Sequence, residues 1–252
     1  MPTETPVQGG DLQVEKLSKR FGGLQVFADL SFRLAPGEIM GVIGPNGAGK
    51  TTLINVICGK LAPSGGSIRL GGKPIARMSF HTLSRMGLVR SFQQTNTFKS
   101  ATVRENLSRA VRFSGSPPWI WDRLDGMLRQ FELAPRLDEP SDKLPYGLQK
   151  MLGLLLAYAT RPKVLLLDEP AAGLERRERT LVDAFVKAAQ ADHGCSILIV
   201  EHDMDLIRRL CPRILVLDAG HLIAEGAPED VLSRPDVIDA YMGVTEDDEV
   251  AA

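Results

Sequence analysis

"GPNGAGKTT", residues 44–52, follows the apolar run "IMGVI" (39–43) and opens the apolar-periodic stretch "TTLINVICGKL". It fits the pattern G-x-x-x-x-G-K-[ST], with a strand before it and a helix after it, the context in which that pattern marks a phosphate-binding loop. Gly44, Gly47 and Gly49 let the backbone curl, so that the loop residues Pro45, Asn46, Ala48, Lys50, Thr51 and Thr52 surround the phosphates. The helix N-terminus adds partial positive charge. Lys50 is predicted to reach the β- and γ-phosphates of a nucleotide as a point charge, and the Thr51 hydroxyl to ligate Mg²⁺. A phosphate loop at the carboxyl end of a buried strand implies an α/β fold.

The neighbouring sequence extends that reading. "VLLL" (164–167) and "SILIV" (196–200) are continuous apolar runs, as in strands buried on both faces of a mostly parallel sheet. "RILVL" (213–217) leads through "DAG" into "HLIAEG", a hairpin. Near the front, "LQVEKL" and "VFADLSFRL" alternate more loosely, as strands of a smaller antiparallel sheet. From about 100 to 160 the pattern is helical, as in "TVRENLSRAVRF", and it interrupts the α/β alternation as an inserted helical lobe.

A phosphate loop needs an acidic residue on a neighbouring strand to hold magnesium. "VLLLDEP" supplies Asp168 at a strand end, with Glu169 directly after it. Adjacent residues at a strand end point in different directions, so one carboxylate can face the metal and the other the attacking water. His202, in "SILIVEHDMD", lies just past another buried strand whose end opens onto the same crevice. A lone histidine there is more often structural, and the shared crevice is what raises it to a candidate. His81, His193 and His221 lie in polar or turn contexts and carry no assignment.

Composition bounds the function. The 252 residues carry a net charge of −1 and 44% hydrophobic residues, enough for a large core. Lys and Arg are scattered, which gives no support for a nucleic-acid partner. Cys58, Cys195 and Cys211 stand far apart in apolar sequence and read as buried thiols in a reducing compartment. The first residues, "MPTETPVQGG", lack the pattern of an export signal, and the longest apolar run, "MLGLLLAYA" (151–159), is too short to span a bilayer. The expectation is a soluble, intracellular chain that reaches a membrane only through a partner.

The order of these pieces is a phosphate loop, a glutamine after a strand ("LVRSFQQ"), a Gly-centred turn before a helix, "LLLDEPAAGL" and then "EHD". That order resembles the nucleotide-binding subunit of ABC transporters, over about residues 11 to 243. "RMGLVRSFQQTNTFKSATVRENL", "DEPAAGL" and "RPDVIDAYMG" look most like the ATPase subunits of branched-chain amino-acid importers. The resemblance implies a P-loop NTPase core with a mostly parallel sheet, a small antiparallel β subdomain and an inserted α-helical subdomain. The expected division is a tail over 1–10, an ABC ATPase domain over 11–244 and an acidic tail, "TEDDEVAA", over 245–252. Within the domain, a RecA-like core takes about 11–93 and 162–244, and the helical subdomain about 94–161.

Carried over by motif, Phe21 in "LSKRFGG" matches the aromatic that stacks on adenine. Gln93 matches the glutamine that contacts Mg²⁺ and the attacking water, Glu169 the general base, and His202 the residue that holds the γ-phosphate. "AAGLE" (171–175) matches a loop that crosses a dimer interface. "LPYGLQ" (144–149) matches the signature L-S-G-G-Q, which in the family contacts ATP held by the other subunit. Here Pro145 replaces the serine, Tyr146 the first glycine and Leu148 the glutamine, while Gly147 is kept. Pro145 removes a hydroxyl donor and a backbone N–H; the helix N-terminus that follows still offers amides to a phosphate.

The implied assembly is an asymmetric pair with a second ATPase subunit of different sequence. Two membrane permease subunits and, indirectly, an external solute-binding protein complete it. Phe98 and Val103, in "TNTFKSATV", are candidates for a groove that receives a membrane subunit, and equally for lobe core. "PPWIWD" (117–122) is read as lobe packing or as contact surface. The competing functions are an ABC export ATPase of similar size, which shares every catalytic motif, and a soluble ABC ATPase acting on nucleic acid or ribosomes. The latter usually carries two ATPase domains or a long coiled-coil insertion, and this chain shows neither. A P-loop kinase needs no signature turn, "DEP" and "EHD" in this order.

Overall fold

The structure is a computed structural model that describes residues 9–91 and 97–242. Two antiparallel strands, β1 (Leu12–Phe21) and β2 (Leu24–Leu34), come first, followed by β3 (Ile39–Ile43) and α1 (Lys50–Ile57). Then come β4 (Gly65–Leu70), β5 (Lys73–Pro74), α2 (Phe80–Arg85) and β6 (Leu88–Ser91). Three helices form the inserted lobe: α3 (Val103–Ser114), α4 (Ile120–Gln130) and α5 (Tyr146–Ala159). The alternation resumes with β7 (Val164–Asp168), α6 (Arg176–His193), β8 (Ser196–Val200) and α7 (Met204–Leu210). The hairpin β9 (Arg213–Asp218) and β10 (His221–Gly226) is followed by α8 (Pro228–Leu232) and α9 (Pro235–Met242).

The strands make two sheets, β2-β1-β4-β5 and β10-β9-β3-β8-β7-β6. In the second, β3, β6, β7, β8 and β9 run parallel and only β10 is antiparallel. Every residue of β3, β7 and β8 is buried, which explains runs with no polar alternation. Side chains of a strand alternate between faces, and here they feed two separate cores. Leu165, Leu167, Ile197 and Ile199 face the helical lobe and α6; Val164, Leu166, Leu198 and Val200 face α1 and the antiparallel sheet.

The sheet order corrects one expectation. Asp168 is not on the strand beside the phosphate loop, because β8 pairs with both β3 and β7 and lies between them. That insertion brings the end of β8, with His202, to the same edge.

The first helix of the lobe, α3, is capped at its N-terminus. Thr102 and Glu105 form a reciprocal capping box at the start of α3, with Glu105 N–H to Thr102 Oγ1 at 3.1 Å and Thr102 N–H to Glu105 Oε2 at 2.9 Å. Val103 is fully buried and belongs to the lobe core, whereas Phe98 is 60% exposed. Trp119 packs partly buried against the core, and Trp121 is 37% exposed. All three cysteines are buried free thiols. Among the described residues no helix is long and apolar enough to cross a membrane.

His193 is buried outright, contrary to its polar sequence context, because it ends α6 against the lobe. Its ring lies 4.3 Å from that of Tyr158, and Nε2 is 3.1 Å from the Tyr158 carbonyl. Burial pushes the imidazole down to about 4. The unfolded chain therefore takes up a proton near pH 6.5 that the native state refuses until about pH 4. Stability is expected to fall as pH drops through that window, by about 3 kcal/mol in total at roughly 1.4 kcal/mol per unit. In urea titrations at pH 7 and pH 5, His193→Gln should show a shallower loss than the wild type; equal slopes would assign the loss to other groups.

Candidate active site

The phosphate loop leaves β3 through Gly44, at φ +147, where a Cβ would meet the Leu217 carbonyl oxygen at 2.0 Å. Gly49, at φ +96, starts α1. Both positions exclude a side chain, which is why the loop can turn so tightly. Lys50 is buried, and its ammonium donates to the carbonyl oxygens of Gly44 (2.7 Å) and Pro45 (2.8 Å). Burial pushes its amine below the usual lysine range, against the pull of Glu169 and Asp168. The loop therefore holds its cation folded back on its own backbone, ready to exchange two carbonyls for anionic oxygens.

A cleft of about 210 Å³ is lined by Asn46, Gly47, Gly49, Lys50, Thr51 and Thr52 on one side and by Glu169 and His202 on the other, with Val26 beside them. Gly44, Pro45 and Ala48 shape the loop from behind. Glu169 adopts φ +48, an uncommon conformation for a non-glycine residue that marks functional turns. Its N–H donates to the Val200 carbonyl at 2.8 Å, fastening the end of β7 to β8. Its Oε1 lies 3.0 Å from His202 Nε2. The two residues singled out from separate motifs thus meet across the strand ends.

Asp168 is fully buried, and its Oδ2 is paired with Arg90 at 2.7 Å. Arg90 also donates to Asn55 Oδ1 at 2.6 Å, linking β6, β7 and α1. Burial pushes the Asp168 carboxyl up from its ordinary value, against the opposing pull of Arg90. Oδ1 is buried with no hydrogen-bond partner among the described residues, an acceptor that suits a divalent cation. Gln93 lies outside the described residues.

The remaining predicted residues stand apart from the cleft. Phe21 ends β1 at the hairpin, 47% exposed, with the Lys19 ammonium 4.5 Å from its ring centroid. Pro145, Tyr146 and Gly147 begin α5 and face the 171–175 loop of the same chain: the Tyr146 ring sits 3.0 Å from where a Cβ on Gly173 would lie.

Comparison with known proteins agrees with this geometry. The ABC transporter family model matches residues 27–172, and the model named branched-chain amino acid ATP-binding cassette transporter matches residues 221–247. The chain belongs to the ABC transporter family. It is 37% identical to the high-affinity branched-chain amino acid transport ATP-binding protein LivG of Escherichia coli K12, over 92% of this chain and 97% of that protein. It is 36% identical to the Nod factor export ATP-binding protein I of Paraburkholderia xenovorans, over 91% of this chain and 76% of that protein. Among solved structures, the ADP conformation of an ATP-binding cassette of an ABC transporter superposes with a TM-score of 0.79. The identity there is 29%, over 93% of this chain and 99% of that one.

This ABC cassette is an ATPase, and three residues of its site escaped the sequence reading. Arg90 was hidden inside the apolar strand "LVRS", where the one visible signal is a charge in a buried strand. Glu201 is 3% exposed; its Oε1 accepts from Ala171 N–H at 2.7 Å and its Oε2 from His202 N–H at 3.0 Å. It ties the end of β8 to the turn after Glu169. Lys150, just past the signature stretch, is 6% exposed.

Gly147 is kept in the signature for a local steric reason. A Cβ there would lie 1.8 Å from Glu178 Oε1, and the other oxygen of that carboxylate accepts the Glu175 N–H at 2.9 Å at the start of α6. Gly147→Ala must displace Glu178 and break that cap, at a cost of about 1 kcal/mol. In a double-mutant cycle read by urea unfolding, most of this loss should vanish in the Glu178→Ala background. Additive losses would mean that the clash is relieved elsewhere.

Proposed function

We propose that this chain is the ATP-hydrolysing subunit of an ABC importer for branched-chain amino acids or related small solutes, acting on the inner face of the cell membrane beneath two permease subunits. The observation that carries it is the convergence of Lys50, Thr51, Glu169 and His202 on one cleft at the strand ends, with a match over 221–247 to a branched-chain amino acid cassette. Identity alone does not separate import from export, since an exporter subunit is as similar as LivG; the 221–247 match favours import.

In the proposed reaction Lys50 leaves its two loop carbonyls and binds the β- and γ-phosphates of ATP. Phe21 stacks on the adenine at the outer edge of the site. Glu169 takes a proton from the water as the water oxygen attacks the γ-phosphorus, and the bond to the bridging oxygen breaks to release ADP. His202, now against Glu169, holds the carboxylate in place and then the γ-phosphate. Thr51, Asp168 through its buried Oδ1 and Gln93 would hold Mg²⁺, which when bound would neutralise the phosphate charge.

The signature of a partner closes the site, and Pro145, Tyr146 and Gly147 of this chain do the same for the partner's ATP. Losing one donor to a transferring phosphoryl group costs about 10²–10³ in rate, so the site served by "LPYGLQ" is the slower one. A partner of different sequence follows from this, with a solute-binding protein outside the membrane. The test is steady-state ATP hydrolysis by the chain across a wide concentration range, with and without a second cassette subunit. Nucleotide binding without turnover, rescued by the second subunit, is expected. Turnover rising faster than linearly for the chain alone would overturn the asymmetry.

A further inference from the structure

Lys150 is a buried charge that the proposed reaction leaves unused. It lies four residues after Tyr146 on α5, a helix whose inner face is otherwise apolar. Its ammonium donates to the carbonyl oxygens of Glu169 (2.9 Å) and Ala172 (2.6 Å). These are the two ends of one turn, since the Ala172 N–H itself donates to the Glu169 carbonyl at 3.2 Å. Glu201 grips the same turn from the other side, accepting the Ala171 N–H. One turn of four residues is thus held by a cation from α5 and an anion from the end of β8.

Burying an ammonium against neutral carbonyls is costly. Burial pushes the Lys150 amine below its usual range, against the pull of Glu201 and Glu169. A methionine would fill the same path along the helix without that cost, so packing alone does not explain a lysine here. What the lysine adds is direction, because its two bonds hold the Glu169 and Ala172 carbonyls at the ends of the turn in which Glu169 adopts its uncommon φ of +48. Tyr146 and Lys150 are one turn apart on a single rigid helix, so a shift of the signature end of α5 is also a shift of the ammonium.

We propose that Lys150 is a positioning residue that joins the signature helix, which serves a partner's ATP, to the turn that carries Glu169 in this chain's own ATP site. This rests on the reading of Glu169 as the base. Closure of one site then sets the backbone of the base in the other, a coupling between two sites through one element.

The experiment compares wild type, Lys150→Met, Lys150→Arg and Glu169→Gln in the pairing that gives turnover in the concentration series above. It measures kcat for ATP hydrolysis, the ATP dissociation constant by nucleotide titration, and Tm. Lys150→Met is expected to lower kcat at least tenfold, with ATP affinity within twofold and Tm within a few degrees of wild type. Lys150→Arg, which keeps charge and donors, should return kcat to within about threefold of wild type. A kcat for Lys150→Met within twofold of wild type overturns the proposal, as does a loss of kcat that tracks loss of ATP affinity or of Tm. Should Lys150→Met not fold, Lys150→Gln is judged by the same criteria; if it too fails while Lys150→Arg folds, the role is structural and the proposal falls. Glu169→Gln separates the two readings. Turnover surviving in that variant removes the base assignment, whereas its loss beside an unaffected Lys150→Met removes only the coupling.

Discussion

Glu169→Gln is expected to lower ATP turnover by about 10²–10⁴, the usual contribution of a positioned general base, while ATP binding stays within a few-fold of wild type. The amide matches the carboxylate in shape and can still meet His202, which stands 3.0 Å away. The phosphate loop keeps its geometry, because the hydrogen bonds of the Lys50 ammonium go to the carbonyls of Gly44 and Pro45. What the amide lacks is the ability to accept the water proton at neutral pH. The check is a nucleotide titration beside a turnover assay on the same protein. Loss of binding together with turnover would show that Glu169 shapes the cleft and does not act as base. Turnover within threefold of wild type would place the base elsewhere at the strand ends.

Arg90→Met is expected to cost about 3–5 kcal/mol, the usual penalty for leaving one member of a buried ion pair alone. At roughly 2–4 °C per kcal/mol for a chain of this size, Tm should fall by about 10 °C. The guanidinium is 5% exposed and the Asp168 carboxylate fully buried, so water cannot take over. The sign of the pH dependence follows from the same contact. Burial already pushes the Asp168 carboxyl up, and Arg90 opposes it. Without Arg90 the folded state holds that proton more tightly than the unfolded chain. Relative to wild type, the variant should therefore regain stability as pH falls from 7 toward 5. Arg90→Met combined with Asp168→Asn, a neutral pair, should recover most of the loss. A single-variant cost below about 1 kcal/mol would mean that the pair is solvated on opening and does not bind the strands together.

Much of this protein can be read from its sequence because the informative residues are local. The phosphate loop and the start of its helix lie within nine consecutive residues, and the buried strands announce themselves as runs of four or five apolar residues. The β9–β10 hairpin is likewise a local matter of spacing. Asp168, Glu169 and His202 could be singled out because each lies within two residues of the end of an apolar run, and parallel strands end at one edge of the sheet.

Tertiary structure decided which of these residues share a place. Sequence order does not set strand order, so nothing local shows that β8 lies between β3 and β7, and it is this insertion that sets His202 beside Glu169. The partners of buried charges are equally non-local. Arg90 meets Asp168 across 78 positions, and Lys150 meets the Glu169 carbonyl across 19. Val103 and Phe98 look alike in the chain, yet one is core and the other surface. The sequence determined the phosphate loop, the strand ends and the hydrophobic period, since each rests on backbone chemistry within a few residues. The choice of which charges are buried, and against what, came only with packing, because a buried charge must find its partner wherever the fold brings one.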